Sequence, residues 1–196
     1  MKKFYLTLNP HGGQQKGPKL LNKIMPIFKE ANLDITIIET TFAGHANELA
    51  HQLDFDEYEG MIVIGGDGTM HEVVNGMLTR DDKKQLPIGL IPGGTGNSFM
   101  HDLELMNPID AANAIINGNT RNIDVAEVNI NNVTKYAFNI IGWGLVTDVG
   151  NKAEKWRWLG EARYTILSVF EVLKYKPRLA TLILDKDKII DNFTFI

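Results

Sequence analysis

Along the first 119 residues, short apolar runs alternate with stretches whose apolar positions recur at helical spacing. Phe4–Leu8 is such a run and ends at the turn signal Asn9-Pro10-His11-Gly12-Gly13. Leu20, Ile24, Ile27, Phe28 and Ala31 then fall on one helical face. Asp34–Glu39, rich in β-branched residues, predicts a second strand, and Ala46–Leu53 a short helix. Met61–Ile64 reads as a compact buried strand broken by Gly65–Gly68, after which Met70, Val73, Val74 and Met77 line another helix. Ile88–Ile91 predicts a further strand stopped by Pro92-Gly93-Gly94, and Asp110–Ile116 the last helix of the series. This alternation predicts an α/β domain with a parallel sheet covered by helices. Ligands of such sheets bind beyond the carboxyl ends of the strands, so three glycine-rich segments that each follow a strand are expected on one edge.

The pattern changes after residue 119. Ile123–Val128 and Thr134–Ile141 read as strands around an Asn131-Asn132 turn, and Glu154–Leu173 as one long helix. Ala180–Leu184 and Lys188–Ile196 read as a hairpin around Asp185-Lys186-Asp187. The expected organisation is therefore a domain over residues 1–119 and the opening of a β-rich domain over 120–196. The final strand-like run, Phe193–Ile196, reads as part of a longer protein.

Composition narrows the chemistry only a little. Of 196 residues, 44% are hydrophobic and 22% charged, enough apolar material for a sizeable core. The net charge of -4 gives no bulk attraction to nucleic acid or anionic lipid. The chain has no cysteine, which excludes disulfides, thiolate metal sites and a cysteine nucleophile. No secretory h-region or membrane-spanning run occurs, which predicts a soluble, cytoplasmic protein. Any lipid substrate would be met by transient peripheral contact with a membrane.

The candidate chemistry sits in the loops. Gly65-Gly66-Asp67-Gly68-Thr69 leads from a strand into a helix, offering unhindered amides at a positive helix end, which suits phosphate. A carboxylate beside a triphosphate, here Asp67, can hold Mg²⁺ or accept a proton from an attacking hydroxyl. Asn9-Pro10-His11-Gly12-Gly13 and Pro92-Gly93-Gly94-Thr95-Gly96-Asn97 add further backbone donors, with Asn9, Thr69, Thr95 and Asn97 supplying hydroxyls and amides. Neither Gly-x-x-x-x-Gly-Lys-Ser/Thr nor Gly-x-Gly-x-x-Gly occurs, which disfavours P-loop and dinucleotide readings.

These loops together resemble the diacylglycerol kinase catalytic domain family, shared by bacterial diacylglycerol kinases, sphingosine kinases and ceramide kinases. Gly65-Gly66-Asp67-Gly68-Thr69-Met70-His71-Glu72-Val73-Val74-Asn75-Gly76 is especially similar. The likeness continues through Asn122-Ile123-Asp124-Val125, Gly142-Trp143-Gly144-Leu145 and Glu154–Tyr164, the last closest in look to sphingosine and ceramide kinases. The resemblance implies a three-layer αβα nucleotide-binding domain followed by an antiparallel sandwich. It implies ATP phosphates on Gly65, Gly66, Asp67, Gly68 and Thr69, with Asn9, Gly12, Gly13, Thr40, Gly93, Gly94, Thr95, Gly96 and Asn97 completing the nucleotide site. Arg157 and Arg163 match basic residues that approach the phosphates, Asp67 the aspartate that activates the lipid hydroxyl, and Asp124 an acidic position in a charge network. Three departures stand out. Gln14 replaces a lysine for which Lys16 is the nearby substitute; Gly150 replaces an acidic lipid-binding residue, for which Asp148 or Glu154 could compensate; and a late acidic segment of the family is missing.

The reading is transfer of the γ-phosphoryl group of ATP, with Mg²⁺, to a lipid hydroxyl: diacylglycerol, ceramide or a sphingoid base. The apolar stretch Ile166–Leu173, followed by Lys174, Lys176 and Arg178, is a candidate for membrane contact. Two alternatives are a soluble-substrate kinase of the NAD kinase type and a catalytically poor nucleotide- or lipid-binding module.

Overall fold

A computed structural model describes the chain except for Gly13, Gln14, Arg157, Trp158, Glu161 and Tyr175, and for Glu154 it describes the backbone alone. It divides into two compact units, Met1–Asn139 and Ile140–Ile196.

The first unit is built on a four-stranded, wholly parallel sheet. Its strands are β1 (Lys2–Leu8), β2 (Leu33–Glu39), β3 (Gly60–Gly65) and β4 (Ile88–Pro92), in the order β2-β1-β3-β4. Register is continuous: Leu8 lies opposite Glu39 on one side and Ile64 on the other, and Gly65 opposite Pro92. The strands are joined by helices α1 (Gly17–Glu30), α2 (His45–Gln52) and α3 (Asp67–Leu78). The short α4 (Ser98–Asp102) and α5 (Pro108–Ile116) follow β4. Met61, Ile62, Val63 and Ile64 are all buried, because β3 is central and covered on both faces. Ile24 and Phe28 of α1 and Val73 of α3 close over them, each burial worth about 1.5–3 kcal/mol. The chain leaves β1 for β2 on one side and reaches β3 on the other, so the sheet's switch point lies between β1 and β3.

A hairpin of β5 (Ala126–Ile130) and β6 (Val133–Ala137) belongs to the same compact unit. Its turn residues Asn131 and Asn132 both take left-handed backbone, φ 51° and 64°, as a two-residue turn between twisted strands requires. The buried Asn75 of α3 fastens it. The Asn75 side chain accepts the Tyr136 N–H and donates to the Tyr136 carbonyl, both at 2.8 Å, as a neighbouring strand would.

The second unit holds α6 (Leu145–Lys155), α7 (Ala162–Lys174) and the antiparallel hairpin β7 (Arg178–Leu184) and β8 (Asp187–Phe193). Over Glu154–Leu173, where the hydrophobic pattern predicts one helix, α6 ends at Lys155 and α7 starts at Ala162. Gly160, between the two helices, sits at φ +58°, a left-handed conformation outside helical geometry, and α6 runs back to Leu145. After β4, every strand pair is antiparallel, which matches the expected change from a parallel sheet to a β-rich second part. No helix among the described residues is long and apolar enough to cross a membrane.

Candidate nucleotide site at the strand tips

The three glycine-rich segments meet at the carboxyl edge of the first unit's sheet. Gly65 at the tip of β3 accepts, through its carbonyl, the N–H groups of Gly93 at 2.8 Å and Gly94 at 3.1 Å. The second and third loops also touch without side chains between them. A Cβ on Gly94 would lie 2.5 Å from Gly66 Cα and 2.8 Å from Asn97 Oδ1, so any side chain there would drive the loops apart. Asn97, buried at φ 51°, closes the third loop: its Oδ1 accepts from Gly94 N–H and its Nδ2 donates to the Gly94 carbonyl, both at 2.9 Å.

Asp67 joins these loops in a way the sequence pattern did not reveal. Its Oδ2 accepts the Ser98 N–H at 2.9 Å and its Oδ1 the Phe99 N–H at 3.0 Å, capping α4 from the opening residue of α3. The carboxylate is thereby held in one orientation, while each oxygen retains a lone pair. The start of α3 has no such cap, since the N-cap residue is Gly66, which has no side chain to accept from its first turn. The amides of Asp67, Gly68 and Thr69 therefore face the strand tips at the positive end of a 12-residue helix, an arrangement suited to an anion.

On the β1 side, Asn9 Oδ1 accepts the His11 N–H at 3.0 Å, and the Asn9 carbonyl accepts the Gly12 N–H at 3.2 Å. Asn9, Gly12, Gly65, Gly66, Thr69 and Gly93 line a small notch of about 30 Å³. The notch occupies the switch point between β1 and β3, where open α/β sheets bind their ligands. Thr40 is buried beside it in sequence register, donating through Oγ1 to the Leu8 carbonyl at 3.3 Å, with its N–H on the same oxygen at 2.9 Å. Thr95 is half-buried and Gly96 exposed in the third loop.

Gly13 and Arg157 fall outside the described residues, and Glu154 is placed on α6 by its backbone only. Asp124 is exposed just before β5. Arg163 is buried in the second unit, its guanidinium 4.6 Å from the Tyr164 ring and donating to the Tyr164 hydroxyl at 3.1 Å. Asp148, on α6, accepts from Arg178 at 2.6 Å. Gly150, also on α6, has open space around the position a Cβ would take. Among the described residues, no group of three or more His, Asp or Glu is arranged to hold a metal by itself. Asp67 suits Mg²⁺ only in the way one carboxylate does beside phosphates, with the phosphates supplying further oxygens.

Two supports of the site lay unread in the sequence. Glu72 Oε2 accepts the Ala46 N–H at 3.2 Å, and Asn47 donates to the Glu72 carbonyl at 3.2 Å, so α3 steadies the start of α2. Arg80, just past α3, is buried and donates to the carbonyls of Ala50, His51 and Leu53 at 2.8–3.1 Å, satisfying the end of α2. A glutamate inside a helical repeat and an arginine after its end give no periodic signal that would single them out.

Residues 3–128 match the family described as the diacylglycerol kinase catalytic domain. Sphingosine kinase 1 of Arabidopsis thaliana is 35% identical over 183 residues, covering 88% of this chain and 37% of that protein. Human ceramide kinase is 29% identical, covering 83% of this chain and 34% of its own length. A crystal structure of a diacylglycerol kinase from Bacillus anthracis str. Sterne superposes with a TM-score of 0.73 at 26% identity, over 99% of this chain and 62% of that one. The chain thus spans less than half the length of these two curated relatives.

Proposed function

Because the chain belongs to the diacylglycerol kinase catalytic domain family, we propose that it is the nucleotide-binding part of an ATP-dependent lipid kinase, which transfers the γ-phosphoryl group to a lipid hydroxyl. The observation that carries this reading is the meeting of three strand tips around an uncapped helix start with one oriented carboxylate. Phosphoryl transfer asks the protein mainly for positioning and charge stabilisation. The amides of Asp67, Gly68 and Thr69, with Asn9 and the third loop, supply fixed donors for phosphate oxygens. Backbone donors tied down by Gly65, Gly94 and Asn97 need no reorganisation when charge develops.

Asp67 is assigned the acceptor hydroxyl's proton. Its two α4 amides fix its direction, and each carboxylate oxygen keeps a lone pair that a hydroxyl or a magnesium ion could share. Mg²⁺, when bound, would be held by Asp67 and would neutralise part of the phosphates' charge. Arg157 and Arg163 are proposed to add positive charge from the second domain, and Asp124 to belong to the accompanying charge network. Residues 1–119 are proposed as the nucleotide domain and 120–196 as the opening of the lipid-binding one, with Asp148 and Glu154 on its substrate side. The Asn75–Tyr136 pair would then tie α3 to the first hairpin of that domain. Diacylglycerol, ceramide and sphingoid bases are the proposed acceptor class, met at a membrane surface by a cytoplasmic protein.

The test is Asp67→Asn in the complete protein, with labelled ATP and a panel of those lipids. Transfer should fall by about 10²-fold or more, while calorimetry shows ATP uptake largely retained. Equal transfer by the two proteins would remove Asp67 from the chemistry. Labelling of NAD or a sugar phosphate instead of any lipid would move the protein to the soluble-substrate branch.

A further inference from the structure

We propose that Phe138 is a positioning residue for phosphoryl transfer, bracing the amides that orient the Asp67 carboxylate; this rests on the lipid kinase reading above. The Asp67 oxygens are aimed by the Ser98 and Phe99 N–H groups, so they are only as steady as α4. Helix α4 cannot steady itself. It has five residues, too few to hold helical form alone in water. Its N-cap residue, Asn97, makes no capping bond through its side chain, which is engaged by the Gly94 N–H and carbonyl.

Side chains hold α4 instead. Met100 is buried in the core, and Phe99 meets Phe138 edge to face, with ring centroids 5.2 Å apart and planes 84° from parallel. Phe99 therefore gives its amide to Asp67 and its ring to Phe138. Both rings are half-buried against the core of the first unit, to which both residues belong. Phe138 lies two residues after Tyr136, whose N–H and carbonyl are both bound by Asn75 at 2.8 Å. Asn75 stands on α3, the helix that Asp67 opens, and its Nδ2 also donates to the His71 carbonyl at 2.9 Å. The contacts close a circuit. Helix α3 grips α4 through Asp67, α4 meets the residues after β6 through the two phenyl rings, and β6 returns to α3 through Asn75. Removing the Phe138 ring opens this circuit at its aromatic link, while the amides at the start of α3 stay in place. A misdirected carboxylate slows transfer without weakening the hold on ATP.

Steady-state transfer by the complete protein, with Mg²⁺-ATP and the lipid panel, tests this alongside amide exchange. Phe138→Ala should lower kcat about tenfold or more and leave KM for ATP within about twofold of wild type. Phe138→Tyr, which keeps the ring, should restore kcat. On an Asp67→Asn background, Phe138→Ala should change transfer less than about twofold, because the carboxylate it serves is gone. Exchange needs no substrate: the Ser98 and Phe99 amides should exchange about tenfold faster in Phe138→Ala, with those of Ile62 and Val63 unchanged. Unchanged exchange at Ser98 and Phe99 overturns the brace. So does an equal rate loss on both backgrounds, or faster exchange that extends to β3, either of which would make Phe138 a general support of the fold. Transfer to no lipid by the wild-type protein, with the exchange difference intact, overturns the kinase reading and leaves the brace.

Discussion

The two units differ in how they treat their apolar residues. In Met1–Asn139, the parallel strands, α1 and α3 enclose Leu6, Leu8, Phe28, Ile62, Val73 and Ile91 without exposure. In Ile140–Ile196, the buried apolar residues among those described are Val149, Ala153 and Leu167. Leu173 and Leu179 there are 78% and 71% exposed, and Ile183, Leu184, Ile189 and Ile190 of β7 and β8 are exposed as well. A two-stranded ribbon is marginal by itself, and a broad exposed apolar surface marks a place of interaction. The amides of Asp67, Gly68 and Thr69 at the start of α3 belong to the unit whose core fixes them. Precision at the strand tips comes from dense packing beneath them, whereas the second unit offers surface.

The strongest way to break this comparison is to delete equivalent volume in each unit. Leu6→Ala removes a fully buried side chain from the sheet's interior strand β1, and should cost about 3–5 kcal/mol. Leu167→Ala, in a cluster with few partners, should cost about 2 kcal/mol, the low end for a buried leucine. Urea unfolding followed by residue-resolved amide exchange reads both. Equal losses would show that the second unit is as well packed as the first.

Arg80 sharpens the picture from within the first unit. Besides its three carbonyl bonds, the guanidinium lies 4.0 Å from the Phe55 ring centroid and makes paired bonds to Asp82 at 2.6 and 2.8 Å. The Asp82 carboxylate raises the Arg80 pKa further, and Arg80 holds Asp82 well below the usual carboxylate range. Arg80→Ala would leave three carbonyls at the α2 terminus without their donor, and should destabilise the first unit by about 2–3 kcal/mol. Lysine should recover little of this, because an ammonium cannot reproduce the planar fork. Melting of both variants by near-ultraviolet circular dichroism is the measurement; full recovery by lysine would reduce Arg80 to a bare charge.

How far these features could be read from the chain depends on the range of the forces involved. The strands around Leu6, Ile62 and Leu90 were legible because buried parallel strands write themselves as continuous apolar runs. Their convergence followed from each glycine-rich segment lying after a strand. The Asn131-Asn132 turn was legible because its residues favour left-handed backbone locally. Asp67's hold on Ser98 and Phe99, Asn75's on Tyr136 and Arg80's on α2 were not, since each joins residues 27 to 61 positions apart through one side chain. The break between Lys155 and Ala162 was missed because apolar periodicity outweighed the local signal of Gly160.

The smallest expected effect tests the first unit's rim through pH. Tyr5 on β1 is buried, stacks on Tyr58 with centroids 3.6 Å apart, and donates its hydroxyl to the Asp54 carbonyl at 2.9 Å. Burial, and then the hydrogen bond with Tyr58, push its phenol from 10.0 up to about 12. The folded protein therefore keeps this proton where the unfolded chain has released it. The resulting stability is whole below pH 10 and drains away as pH rises toward 12. Tyr5→Phe keeps the ring but loses the hydrogen bond, so it should cost about 1 kcal/mol at neutral pH. The variant should also show a shallower fall in melting temperature on the alkaline side, so that the gap to wild type narrows as pH climbs. A gap that stays constant through that range would mean the Tyr5 phenol titrates alike in both states, and that the rim of the first unit is as open to water as the second unit's strands.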